Sequence, residues 1–121
     1  MSRNLAIIVG RVGKDPEYKK INDSSVCNFS VATNETWKDK SGMKQENTEW
    51  HNIVCWNNLA DFLGENLKQG ASVYVEGQLQ TKEWEGESGV KMRRTEIKAR
   101  SVQLLSPKKT GNDAEFDFDS I

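Results

Sequence analysis

The sequence predicts an all-β chain with one helix, folded as a five-stranded Greek-key barrel and followed by an acidic tail. Three observations carry that expectation. Apolar residues alternate with a two-residue period in separated stretches, the mark of half-buried strands. One stretch, NNLADFLGENLKQG at 57–70, instead spaces Leu59, Phe62, Leu63 and Leu67 at helical intervals. That helix falls between the third and fourth strands, and from residue 106 onward the composition turns polar and acidic.

Taken in order, NLAIIVGRV (4–12) is apolar on both faces and ends at GKDPE, where Asp15-Pro16 marks a break. Polar INDSS (21–25) is a second turn before VCNFSVAT (26–33), in which Cys27, Phe29 and Val31 alternate with small or polar residues. ETWKDKSGMKQEN (35–47) is expected to be a long loop. TEWHNIVCW (48–56) is the third strand, and the helix after it starts at Asn and stops at Gly70. VYVEGQLQTKEW (73–84) and MRRTEIKARSVQLL (92–105) are the last two strands, joined through EGESG. This β-β-β-α-β-β order suits the OB-fold. The expected core is Ile7, Val9, Phe29, Val31, Ile53, Val73, Val75, Leu79, Ile97 and the helix stripe.

Bulk composition narrows the function. A chain of 121 residues has room for one domain, expected over 1–105, with a flexible tail over 106–121. The longest apolar run, LAIIVG, is too short to span a membrane and wrongly flanked for a signal peptide, so a cytoplasmic protein without a membrane partner is expected. Cys27 and Cys55 read as buried reduced thiols. With His51, the only histidine, they show no ligand spacing, so no metal or cofactor is expected. The formal net charge is −1, yet the tail TGNDAEFDFDSI carries four carboxylates and no base. Residues 1–109 therefore hold all 17 Lys and Arg against 14 of the 18 Asp and Glu, a mildly basic body.

The four tryptophans then pose the functional question. Trp50, Asn52, Val54 and Trp56 share one face of the third strand, while His51, Ile53 and Cys55 share the other. In the fourth strand only the face with Val73, Val75 and Leu79 can be core, which puts Trp84 outward beside Lys82 unless a bulge flips it. Pattern supports an outward Trp84, permits outward Trp50 and Trp56, and leaves Trp37 open, because Trp37 falls in phase with Phe29 and Val31. An isolated strand Trp is more often core. Here the expected core is full without them. Chemistry links them: an indole stacks on any unpaired base, and neighbouring cations neutralise phosphates. Lys38, Lys40 and Lys44 lie near Trp37, and Lys82, Lys91, Arg93 and Arg94 surround the last hairpin. Any one of these charges alone is an ordinary solvated group.

Three blocks resemble the bacterial single-stranded DNA-binding proteins: NLAIIVGRVGKDPE, TEWHNIVCWNNLA and VYVEGQLQTKEW, within a span of about 1–105. The resemblance implies an OB-fold homotetramer that wraps single-stranded DNA in replication, repair and recombination. It implies base stacking by Trp37, Trp50, Trp56 and Trp84; the cations expected to contact phosphates beside them are Arg3, Lys38, Lys44, Lys82, Lys91, Arg93 and Arg94. His51 and Tyr74 fall at subunit-interface positions, and Asp117, Phe118, Asp119 and Ile121 at a partner-binding tip. Leu5 and Asn58 stand where the family often has bases, Glu83 adjoins Trp84, and EFDFDSI replaces the usual Pro-Phe end, as in a phage- or plasmid-borne variant. No nucleophile–base pair or phosphate-cradling glycine loop is evident, so an enzyme is not expected, and Glu85 and Glu87 read as a solvated turn. The rivals are a primosome-type accessory OB protein and a protein-interaction adaptor.

Overall fold

The computed structural model describes residues 1–105. Its elements run β1 (Ala6–Val12), β2 (Glu17–Ile21), β3 (Ser24–Lys38), β4 (Lys44–Trp56), α1 (Asn57–Asn66), β5 (Ser72–Glu85) and β6 (Lys91–Leu104). The sheet order is β1-β5-β6-β4-β3-β2, and β1 also pairs with β3. That second pairing closes a barrel of β1, β3, β4, β6 and β5, an OB-fold with α1 between its third and fourth barrel strands. β2 is an additional strand that forms a hairpin with β3, opposing Glu17 to Asn28 and Ile21 to Ser24.

Closure uses two short seams. β1 meets β3 at Arg11↔Ala32 and Val12↔Val31, and β4 meets β6 in parallel at Ile53↔Ile97 and Val54↔Lys98. Inside sit Val12, Cys27, Phe29, Val31, Ile53, Cys55, Val73, Val75, Ile97 and Ala99, joined by Ala60, Leu63 and Leu67. The two thiols are free, buried and directly opposed across β3 and β4. The Cys55 Sγ points to the Cys27 carbonyl oxygen at 3.6 Å. The neighbouring Cys27 sulfur and burial push the Cys55 thiol well above its ordinary range.

Four residues expected in the core are placed elsewhere, two of them by register. Ile7 and Val9 oppose Glu76 and Tyr74, on the outward side of β5, whereas Ile8 opposes the buried Val75. β1 is apolar on both faces, so alternation alone could not set its phase. Leu79 keeps the inward phase of Val73 and Val75 but is 52% exposed, because β5 there has run past the end of the core. Phe62 is also exposed, leaving Ala60, Leu63 and Leu67 as the buried positions of the helix segment.

The expected loop at 35–47 is also corrected: it is a continuation of β3 and β4. Their ladder runs without a break from Val26↔Trp56 to Lys38↔Lys44. A tight turn joins them, organised by Asp39. Its Oδ1 accepts from the Ser41 and Met43 amides at 2.9 Å, and its Oδ2 from Gln45 Nε2 at 3.0 Å. The Ser41 hydroxyl also donates to Oδ1, at 2.6 Å, and this bond foremost, with the others, holds the Asp39 carboxyl below its ordinary pKa. The helix ends earlier than Gly70. Leu67 caps it, and Gly70, at φ +88°, instead forms the left-handed corner of a turn closed by Ala71 N–H on Lys68 O at 3.1 Å.

Candidate nucleic-acid interface

Partners across a ladder project to the same side of a sheet, so register decides which side chains share a surface. On β3–β4 the outward row is Asn28, Ser30 and Ala32 opposite Val54, Asn52 and Trp50, with Val26 opposite Trp56. The parallel pair Val54↔Lys98 carries that side across to β6, where Met92, Arg94, Glu96 and Lys98 alternate onto it. β5 contributes Gln78, Gln80, Lys82 and Trp84, opposite Lys98, Glu96, Arg94 and Met92. Trp50, Trp56 and Trp84 thus lie on one continuous outer face.

The β5 alternation reaches Trp84 intact. A register shift does occur, between Glu76 and Gly77, but the extra residue is Arg100 on β6. Its guanidinium turns back to Glu76, with Nη2 donating to Oε2 at 2.8 Å, and this holds the Glu76 carboxyl below its ordinary pKa.

All four indoles are exposed, between 37% and 57%. Trp50 lies over the backbone of Gly13, where an added Cβ would come within 2.3 Å of its ring. Gly13 is in turn tied to the same wall by its amide, which donates to Ser30 O at 3.0 Å. The glycine is what lets a large flat ring lie down against the barrel while its other side stays open.

Beside Trp84 on this face is a groove of about 490 Å³. Asn28, Ser30 and Asn52 form one wall and Lys82, Trp84, Arg94 and Glu96 the other. Hydrogen-bonding side chains beside an exposed ring are what a flat heteroaromatic ligand with a charged backbone requires. Sequence reasoning did not single out Glu96 or the three small polar residues; their only sequence signal is sharing the phase of Trp50 and Arg94.

The candidate cations divide. Lys82 and Arg94 share the face of Trp84, and Lys38 and Lys44 share the face of Trp50 further along the arm. Lys91 and Arg93 sit opposite Glu85 and Glu83 on the other side of the β5–β6 arm. Arg93 Nε lies 3.4 Å from the Glu83 carboxylate, an exposed pair of little energetic weight. Lys82 Nζ lies 3.1 Å from Glu96. Arg3 is exposed ahead of β1. Trp37 opposes Gln45 and keeps the inward phase of Phe29 and Val31, so register does not bring it onto the face of the other three. It is exposed because the arm extends past the core.

His51 is half-buried on the inward row, its Nε2 2.9 Å from Thr33 Oγ1. Tyr74 is half-buried on the outward row of β5 and donates its hydroxyl to Glu76 Oε1 at 3.1 Å. Among the described residues there is no cluster of three or more metal-ligating side chains, and no helix long and apolar enough to cross a membrane. Asp117, Phe118, Asp119 and Ile121 lie outside the described residues.

Comparison with known proteins bears on this face. The model of the single-strand binding protein family matches residues 3–105. A single-stranded DNA-binding protein of Neisseria meningitidis is 44% identical over 106 residues, covering 87% of this chain. This chain spans 61% of the length of that relative. Single-stranded DNA-binding protein 1 of Chlorobaculum tepidum is 44% identical over 110 residues, covering 89% of this chain and 68% of its own. Among solved structures, the Plasmodium falciparum SSB in complex with ssDNA superposes with a TM-score of 0.80 at 34% identity, covering 88% of this chain and 97% of that one. Barrel, register and sequence agree, and the chain belongs to the single-strand binding protein family.

Proposed function

We propose that this protein binds single-stranded DNA without sequence preference and so protects and organises it during replication, repair and recombination. The observation that carries the reading is the outer face that presents Trp50, Trp56 and Trp84 together with a groove lined by Trp84, Lys82 and Arg94. Indoles stack on any unpaired base, and the cations supply a salt-sensitive term indifferent to sequence. The neighbouring fold from Plasmodium falciparum, described as a complex with ssDNA, supports it. The protein acts by binding and not by catalysis.

Residues 1–105 are the DNA-binding domain of this reading, and 106–121 are a tail whose Asp117, Phe118, Asp119 and Ile121 contact replication or repair proteins. The assembly is a homotetramer. The exposed Ile7, beside Tyr74 and Val9 on the outward side of β1–β5, is the apolar surface a second copy covers, with His51 near it in the assembly.

The decisive experiment is fluorescence titration with oligo-dT and with a duplex of equal length. Oligo-dT quenches tryptophan emission strongly and duplex does so weakly, since paired bases are already stacked. Equal quenching by both, or none, would replace this reading with the adaptor. Light scattering on the purified chain reports the tetramer, and a pull-down with and without residues 113–121 reports the tail.

A further inference from the structure

Glu96 is the one carboxylate in the groove wall that is nearly inaccessible, at 6% exposure, among otherwise solvated acids. Its Oε1 has no hydrogen-bond partner. Lys82 Nζ, 3.1 Å away, gives that oxygen a counter-charge from outside hydrogen-bonding geometry. A buried acceptor left unmade costs free energy that an apolar residue at the same place would avoid. Such an acid is retained where something else completes it.

Its position says what. Glu96 shares the outer face with Trp84 and Arg94 and lines the groove between Trp84 and the Asn28, Ser30 and Asn52 wall. A phosphate is repelled there by like charge, so a strand enters with its bases toward Glu96 and its backbone toward the exposed cations. An ionised carboxylate only accepts hydrogen bonds. Every nucleobase offers an N–H on its pairing edge: the N4 amine of cytosine, the N6 amine of adenine, N1–H of guanine and N3–H of thymine. In a duplex that edge is already occupied.

We infer that Glu96 is a pairing-edge acceptor. It takes a hydrogen bond from the exposed N–H of a base held beside Trp84, and it thereby selects unpaired strands without selecting a base. Lys82 pairs with the carboxylate in the free protein, and its half-exposed side chain shifts aside to admit the base and meets the acceptor atom next to that N–H. This rests on the reading of the face as a single-stranded DNA site, and it adds to stacking and charge a contact that only an open strand can satisfy.

The test compares oligo-dC with an oligomer of equal length in which each cytosine is replaced by pyrimidin-2-one, which lacks the amine and adds no bulk. The wild-type protein binds the analogue about tenfold more weakly or worse, the scale of one good base-edge contact. In Glu96→Met the ratio between the two oligomers falls toward one, while the salt dependence of oligo-dC binding stays as in the wild type. Glu96→Gln retains an acceptor oxygen and keeps an intermediate ratio, so it serves should the Met variant not fold. Equal affinity of the wild type for both oligomers overturns the inference while leaving the function intact, as does a ratio unchanged in a folded Glu96→Met. Failure of the wild type to bind oligo-dC removes both.

Discussion

The two ends of the long strands behave as different materials. At the barrel end, β3 is buried from Ser25 to Cys27 and again at Phe29 and Val31, and β5 is buried at Val73, Val75 and Gly77. At the other end, β3 from Asn34, β4 as far as Trp50 and β5 from Thr81 are exposed on both faces. The β3–β4 ladder runs unbroken from one end to the other; what changes is the second layer of protein. Alternation therefore reports which way a side chain points, and whether it is covered depends on where the core stops. The barrel end supplies stability, and the arms carry side chains such as Trp37 and Trp84 into solvent.

The largest effect that would sharpen this contrast is a core truncation. Ile53→Ala should cost about 2–5 kcal/mol of unfolding free energy, measured by chemical denaturation. Trp84→Ala, on the arm, should leave the denaturation midpoint nearly where it was. A comparable loss from Trp84→Ala would mean that the arms are part of the core after all.

Next comes affinity, where the contrast reverses. Trp50→Ala, Trp56→Ala and Trp84→Ala should each weaken oligo-dT binding by about 1–3 kcal/mol, and Ile53→Ala much less wherever it remains folded. Trp37→Ala should have the smallest effect of the four indoles, since its row faces away from the others. Were Trp37 to rank first, the bound strand must cross both sides of the β3–β4 arm.

A smaller effect separates the cations of one arm. Arg94→Gln should reduce the log–log salt slope of binding by roughly 0.7, the value of one phosphate contact to a single strand. Arg93→Gln, on the opposite side and beside Glu83, should change it less. Equal changes in both would show that the arm is gripped from both sides.

The smallest is confined to the tip of the β3–β4 arm. Asp39 titrates below its ordinary value of 3.8, so its contribution to the turn is complete above that pH. It is lost as pH falls through the lowered native value. The protection factors of the Ser41 and Met43 amides, corrected for the intrinsic slowing of exchange in acid, should fall through that acidic window while Ile53 stays protected. In Asp39→Asn the tip should lose this pH dependence.

How far these features were legible depends on what covers each strand. Trp84 could be placed because Gln78, Gln80 and Lys82 make its row polar and the opposite row apolar. β4 gave no such contrast: Ile53 and Val54 point to opposite sides and both are buried, so Trp50 and Trp56 could not be oriented by pattern. The arm at 35–47 lacked an apolar face because it has no core to meet, and so its strands read as a loop. Glu96 was invisible because an acid between Thr95 and Ile97 looks like any outward strand residue. Its burial appears only when β4 and β5 flank it.

The seams that shut the barrel also dictate when it can shut. β1 lies between β5 and β3, and β4 reaches its last neighbour only at Ile97 and Lys98, near the end of the domain. A ribosome-bound chain can form the local β2–β3 and β3–β4 hairpins early, but β4 and β5 each keep an open edge until β6 is made. Such non-local pairing places the protein among slowly folding topologies, with unsatisfied strand edges exposed during synthesis. Lys98, beside Val54 at the final seam, sets a charge at the last edge to close, where it discourages pairing with another nascent chain.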